Sequence, residues 1–327
     1  MPRQQLIDEL PIPPDHLTEI VTATLPEPVA ELSDEYDRVV GDRDQFLWQW
    51  IYTLFPSFTL SSVSAEYAEP ARIQKTILTM FVTLLDDLAE KGHDQKTLEE
   101  ACQIPYRPET VNPDRKGVDT EQLRYIQRVW SAFEDGIQDA PKHDDYRDIF
   151  DCDLRQTLIG IEYSRVLNDH VEIANMAGIE HYDPHNMLMF PYAGVDLMFS
   201  PSFDDSDLST VRSVIWELQR MARIGNWTTT WERELGEGDY TAGPVIYSLQ
   251  EGLISMEDLN PDDENAIKRV TEQIRSHGIE DRFISEWEER YEAVKERQER
   301  ADSVDLDSFV EGMRTVLAYQ LAARGKK

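Results

Sequence analysis

The stretch TILTMFVTLLDDLAE, residues 76–90, decides the fold. Its first ten residues are apolar nearly all round and show no alternation of period two, so they read as a helix buried on every side. Asp86, Asp87 and Glu90 follow directly, and acidic groups at the end of a buried helix need a reason to be there. Working outward, residues 43–55, 70–91, 120–140, 144–178, 207–237, 242–252, 262–276, 279–300 and 305–324 carry helical spacing of apolar residues. Residues 94–118, with Pro105, Pro108 and Pro113, are turn-rich. Hardly any stretch asks for a strand, so the expected fold class is all-α. Pro11, Pro13, Pro14, Pro26 and Pro28 punctuate the start of the chain, which predicts an extended N-terminal strap over residues 1–42 lying on a single helical domain, residues 43–327.

A second polar cluster stands about 140 residues downstream, in NWTTTWERE, residues 226–234. Asn226, Thr230 and Glu234 recur every fourth residue, which on a helix puts an amide, a hydroxyl and a carboxylate on one face. Three hard oxygen ligands projecting together suit a divalent ion such as Mg²⁺ when phosphate oxygens and water complete its octahedron. Acidic triplets are common in so acidic a chain, and Asp144, Asp145 and Asp148 in DDYRD match the first pattern too. They lie in a polar stretch and read as solvated. The Asn/Thr/Glu string is the rarer of the two motifs.

An aspartate-rich DDxxE string followed by N-x-x-x-T-x-x-R-E resembles the paired motifs of class I terpene synthases, and the likeness runs from about residue 45 to the C-terminus. It implies a helical bundle of the terpenoid synthase type with a central apolar cavity. Metal ligands would come from Asp86, Asp87 and Glu90 on one wall and Asn226, Thr230 and Glu234 on the other, holding three Mg²⁺ ions. It further implies a prenyl diphosphate substrate, ionised to an allylic cation and released as a terpene, expected to be cyclic, plus diphosphate. Arg233 fits the basic position of the second motif and is expected to touch diphosphate. Trp227 stands where the family usually has Asp.

A helix break is expected at Pro191 to Gly194, and Phe190 sits where the family places a diphosphate-sensing Arg. Asp183 followed by Pro184 reads as a helix start, the Asp as N-cap. Arg324 stands for the Arg of a terminal Arg-Tyr pair, although no Tyr follows it, while Arg290-Tyr291 is the literal pair in a solvated helix. Phe81, Phe190, Tyr192, Gly194 and Trp227 are the expected cavity residues, with Trp48, Trp50 and Phe55 as further aromatic candidates. Two other readings stay open. A prenyltransferase would share the fold and the metals but carry two similar aspartate-rich motifs, and a non-catalytic prenyl-lipid-binding protein would have no use for metal ligands.

Composition narrows the partners. The 327 residues hold 64 Asp and Glu against 32 Lys and Arg, a formal net charge of −32 at pH 7. Such a field repels nucleic acid and anionic membranes and matches the surfaces of proteins adapted to concentrated salt. Cys102 and Cys152 belong to no CxxC or Cys/His cluster, no apolar signal core opens the chain, and no run reaches membrane-spanning length. A cytoplasmic protein without membrane insertion is expected, and the resemblance leaves room for a homodimer.

Overall fold

A computed structural model of the chain describes residues 16–41, 43–90, 94–297, 299–322 and 324. Among them there is no strand. The α-helices run in chain order α1 (His16–Thr22), α2 (Glu27–Val39), α3 (Phe46–Leu54), α4 (Ala68–Glu90), α5 (Gln95–Ala101), α6 (Thr120–Ile137) and α7 (His143–Asp169). They continue as α8 (Met176–Tyr182), α9 (Met189–Met198), α10 (Leu208–Glu237), α11 (Gly243–Gln250), α12 (Glu264–Ser276), α13 (Ile279–Arg297) and α14 (Leu306–Ala322), with short 3₁₀ turns between several of them.

Local chemistry sets the boundaries. Asp94, Asp119, Asn175 and Asp263 each accept a backbone N–H from the first turn of the helix that follows, satisfying donors the helix cannot. Gly238, with φ of 83°, ends α10 in the left-handed conformation that favours glycine. Residues 1–15 lie outside the described residues, but over the rest of the expected strap the chain is helical rather than extended. Pro26 and Pro28 fall at the N-cap and second position of α2. There a missing N–H costs nothing, so these prolines start a helix instead of preventing one.

Burial explains the packing order. Residues 76–85 of α4 are buried at every position except Thr79 and Thr83, as the apolar run predicts. All ten residues of α9 are buried, so this helix runs through the interior between α7 and α10. α4 packs on α6 and α7, and α10 packs on α13 and α14. The buried apolar side chains join into one contiguous cluster that extends from Ile20 to Ala318. No helix among the described residues is long and apolar enough to cross a membrane. Asp144, Asp145 and Asp148 are exposed, as their polar surroundings predict.

The break before α9 is displaced from its expected place. Pro191 lies in the first turn of α9, where proline is tolerated, and Gly194 is an interior helical residue. The chain instead breaks at residues 183–188, a 3₁₀ turn closed by Leu188 at φ 58° and ψ 13°. A leucine in this left-handed region is held there by its surroundings at a cost in strain. Gly194 has a packing role, since a Cβ at that position would stand 3.2 Å from the Phe150 ring of α7.

A close approach of α14 to the turn after α3 gives a stability test. A Cβ on Gly312 of α14 would lie 1.7 Å from the Ser57 carbonyl oxygen, whereas one on Gly236 of α10 would meet nothing within 4 Å. Gly312→Ala is expected to destabilise the fold by about 1–3 kcal/mol through overpacking, and Gly236→Ala to stabilise it by up to about 1 kcal/mol. Urea unfolding of both variants checks the pair.

A candidate metal and diphosphate pocket

One pocket gathers residues from five helices. On α4 the face formed by Thr79, Val82, Thr83 and Asp86 lines it, and on α10 the face formed by Ala222, Arg223, Asn226, Thr230, Arg233 and Glu234. Both sets follow the three-and-four spacing of a helix, which is why two distant motifs can meet across a gap. Leu47, Trp50, Ile51 and Leu54 of α3, Phe58 beyond it, residues 186–189 and Tyr192 at the break, and Val316 and Gln320 of α14 complete the lining. Arg43 enters from the segment before α3. The cavity volume is about 200 Å³.

The two walls differ in how their acids are held. Asp86 is half-buried, and no hydrogen bond or ion pair to it is found among the described residues. Burial, together with repulsion from Asp87, pushes its carboxyl up to about 7. Asp87 is turned out of the pocket. Its oxygens accept from Arg43 Nε at 3.2 Å and Nη2 at 2.5 Å, so the expected metal ligand is an ion-pair partner. The Glu90 side chain lies outside the described residues.

On α10, Glu234 is 8% exposed and its Oε2 has no hydrogen-bond partner among the described residues. Burial and the nearby charge of Asp239 push it up to about 7, against the pull of Arg223 and Arg233. Thr230 donates its hydroxyl to the Asn226 carbonyl at 2.8 Å. Asn226 Oδ1 accepts from Arg223 Nη1 at 2.7 Å.

Arg223 is the central residue that sequence reasoning missed. It is buried and makes a two-pronged ion pair with Asp183, through Nε to Oδ2 and through Nη2 to Oδ1 at 2.8 Å. Asp183 also accepts the Trp227 indole N–H at 2.8 Å. The carboxylate expected as an N-cap therefore serves as the anchor of the second wall. Burial opposes the Arg223 charge, but Asp183 and Glu234 hold it firmly protonated. Its place one turn before Asn226, on the same helix face, was a readable signal. Arg43, expected at the start of a helix over residues 43–55, lies before the observed start of that helix at Phe46 and carried none.

The remaining expectations divide. Arg233 lines the pocket, half-buried and paired with Glu237. Arg324 does not, because Glu232 and Glu280 hold it at 2.6 and 2.7 Å. Of the expected cavity residues only Tyr192 lines the pocket, joined by Trp50 from the wider aromatic set. Phe81 packs on Trp130 in the core, and Phe190 packs on Trp216 under the Arg212 guanidinium. Trp227 points its N–H at Asp183, while Trp48 and Phe55 lie behind the lining. Large aromatics fill helical interiors, and nothing in sequence spacing separates a ring that faces a cavity from one that faces a neighbouring helix.

The donor set fits Mg²⁺. Among the described residues no three His, Cys, Asp or Glu side chains gather closely enough to hold a metal by themselves. Here two carboxylates without full partners, a hydroxyl and an amide face one space, and all offer hard oxygen atoms. The charge of Asp239 opposes ionisation of Asp86 and Glu234, while Arg223 favours it. The chain matches no known family model and no curated protein.

Two measurements follow from this charge arrangement. Asp183→Ala would strand Arg223 as an uncompensated buried charge and is expected to cost about 3–5 kcal/mol in urea unfolding. Asp86 and Glu234 have ordinary values of 3.8 and 4.5 and titrate near 7 in the fold. The folded chain therefore binds more protons than the unfolded one between these limits. Stability from these groups falls as pH rises from about 4 to about 7, then levels off. The neutral double variant Asp86→Asn/Glu234→Gln is expected to gain on the wild type through that window and to hold its gain at pH 8, as unfolding at several pH values would show.

Proposed function

We propose that this chain is a Mg²⁺-dependent class I terpene synthase, a helical domain with an apolar cavity that ionises an acyclic prenyl diphosphate and releases a terpene hydrocarbon or alcohol plus diphosphate. The observation that carries the reading is that Asp86 and all of Asn226, Thr230 and Glu234 line one pocket with an apolar end. Asp86, Thr230, Glu234 and Asn226 would hold the metal. Mg²⁺, when bound, neutralises the diphosphate and makes it a better leaving group.

Arg43, Arg223 and Arg233 line the same pocket and would grip diphosphate oxygens, for which a planar guanidinium fork is well shaped. Arg223 is the best placed, since Asp183 and Trp227 fix its plane before any ligand arrives. It supplies a cation to the pocket, whereas Phe190 lies outside the lining. The C–O bond of the substrate breaks with its electron pair leaving on the diphosphate, and the positive charge stays on the prenyl chain. Leu47, Ile51, Leu54, Phe58, Met189 and Val316 would cover that chain and keep bulk water from it. Asymmetry between the walls, acid on α4 against amide, hydroxyl and acid on α10, favours the synthase over a prenyltransferase.

Asp86→Ala and Asn226→Ala are each expected to lower turnover by about a hundredfold to a thousandfold while the helical circular dichroism stays unchanged. The assay offers ten-, fifteen-, twenty- and twenty-five-carbon prenyl diphosphates separately with Mg²⁺ in high salt and follows diphosphate and organic product. Normal activity in either variant defeats the two-wall arrangement. Longer diphosphates that form only with an isopentenyl co-substrate would make the protein a prenyltransferase.

A further inference from the structure

Lys75 and Asp196 form an ion pair with both side chains shut off from solvent, Nζ to Oδ1 at 2.8 Å. Lys75 lies on α4, eleven residues before Asp86, which is about 16 Å along the helix axis and so at the far end of the pocket from the metal wall. Asp196 lies on α9, one turn beyond Tyr192. Its Oδ2 accepts the Leu60 N–H at 3.0 Å, and the Lys75 ammonium donates to Thr59 Oγ1 at 2.8 Å.

The positive end of this pair faces aromatic rings. The ammonium stands 5.0 Å from the Phe55 ring centre and 5.6 Å from that of Phe58. Tyr192 meets both rings edge-on or tilted, at 5.0 and 5.8 Å, and its hydroxyl bonds Thr79 at 2.7 Å. Phe58 and Tyr192 line the pocket, so the apolar floor is a layer of rings with an ammonium behind it. An aromatic face attracts a cation, but here that attraction already serves Lys75. A second positive charge over the same rings would meet the ammonium across a medium of low dielectric, with the paired Asp196 carboxylate offsetting part of the repulsion.

We infer that the Lys75–Asp196 pair makes the floor of the pocket unfavourable to positive charge and confines the prenyl cation to the head end, beside the diphosphate. The inference rests on the synthase reading and adds the regiochemistry of its product. Tail-to-head ring closure would form a bond from the terminal double bond to the head carbon and move the positive charge to the tail, over the rings. Quenching at the head needs no such move. A C–H bond next to the cationic carbon gives its electron pair to a new double bond, and the proton goes to a diphosphate oxygen. Alternatively a water oxygen bonds the cationic carbon and loses its proton to the same acceptor. Both routes keep the tail double bond.

The experiment uses the full chain with Mg²⁺. Products from ten-, fifteen- and twenty-carbon prenyl diphosphates are expected to retain the tail double bond, and a main product made by tail-to-head closure would overturn the inference while leaving the synthase reading intact. In Lys75→Met/Asp196→Asn, where Asn keeps an acceptor for the Leu60 amide, the share of tail-closed product should rise about tenfold, the factor one cation–π contact is worth. A binding measurement stands apart from turnover and from the variant's folding. Prenyl amines carrying the ammonium at the head or at the tail are titrated into wild type with Mg²⁺ and inorganic diphosphate. The head amine is expected to bind about tenfold more tightly, and equal affinities would overturn the inference. Failure of every prenyl diphosphate to react, with neither amine bound, would overturn the synthase reading and this inference with it.

Discussion

The buried ion pair between Asp183 and Arg223 ties the pocket to the fold. Asp183 stands at the break between α8 and α9, and Arg223 stands on α10, so one pair of charges fastens the interrupted chain to the helix that carries the second motif. Two charges taken out of water are tolerated only when their hydrogen bonds are nearly complete. That condition is met by Trp227 and Asn186 on the acid and by Asn226 on the base. Asn226 is thereby held with its carboxamide beside a guanidinium, and the wall is shaped before any ligand enters.

Trp227 departs from the motif that the sequence resembles, and its packing accounts for the residue found. At the position usually held by Asp, it brings an indole N–H to Asp183 and covers the pair with an apolar body, with Phe283 edge-on at 5.6 Å. A tryptophan here adds no acid to a neighbourhood in which Asp239 already opposes the ionisation of Asp86, Asp183 and Glu234. It strengthens the anchor and leaves the outward-facing oxygens of α10 in place.

How much of this was legible in the sequence follows from what periodicity can carry. The helices bearing both motifs, and the faces that meet across the pocket, obey a 3.6-residue repeat and were readable from it. Glu234, Asn226, Thr230 and Asp86 fall on those faces. Partners chosen across the interior leave no such trace, so Asp87 turning to Arg43 and Arg324 turning to Glu232 and Glu280 were invisible. Proline misled twice for one reason. Pro26, Pro28 and Pro191 were read as breakers, yet all three sit at or within the first turn of a helix, where the lost N–H had no partner to lose. The αL residue that does make the break is Leu188, a residue type that gives no warning of that conformation.

Acidity presented the opposite difficulty, too many candidate motifs rather than too few. In a chain with twice as many acids as bases, DDxxE strings arise without purpose, and burial is what sorts them. The DDYRD acids stay in water, where repulsion is screened and nothing is asked of them. Glu234 is buried and Asp86 half-buried, and both lack full partners, a state that desolvation penalises. The penalty grows as they ionise, which leaves the mouth of the pocket electrostatically unsatisfied and receptive to a cation. At the other end Lys75 stands behind the rings, its ammonium paired with Asp196. The pocket thus has oxygen ligands and the guanidinium groups of Arg43, Arg223 and Arg233 toward one end and rings backed by an ammonium toward the other. On the proposed reading, a ligand with phosphates at its head and hydrocarbon at its tail would set its head against the oxygens and guanidinium groups of α4 and α10 and its tail against the rings.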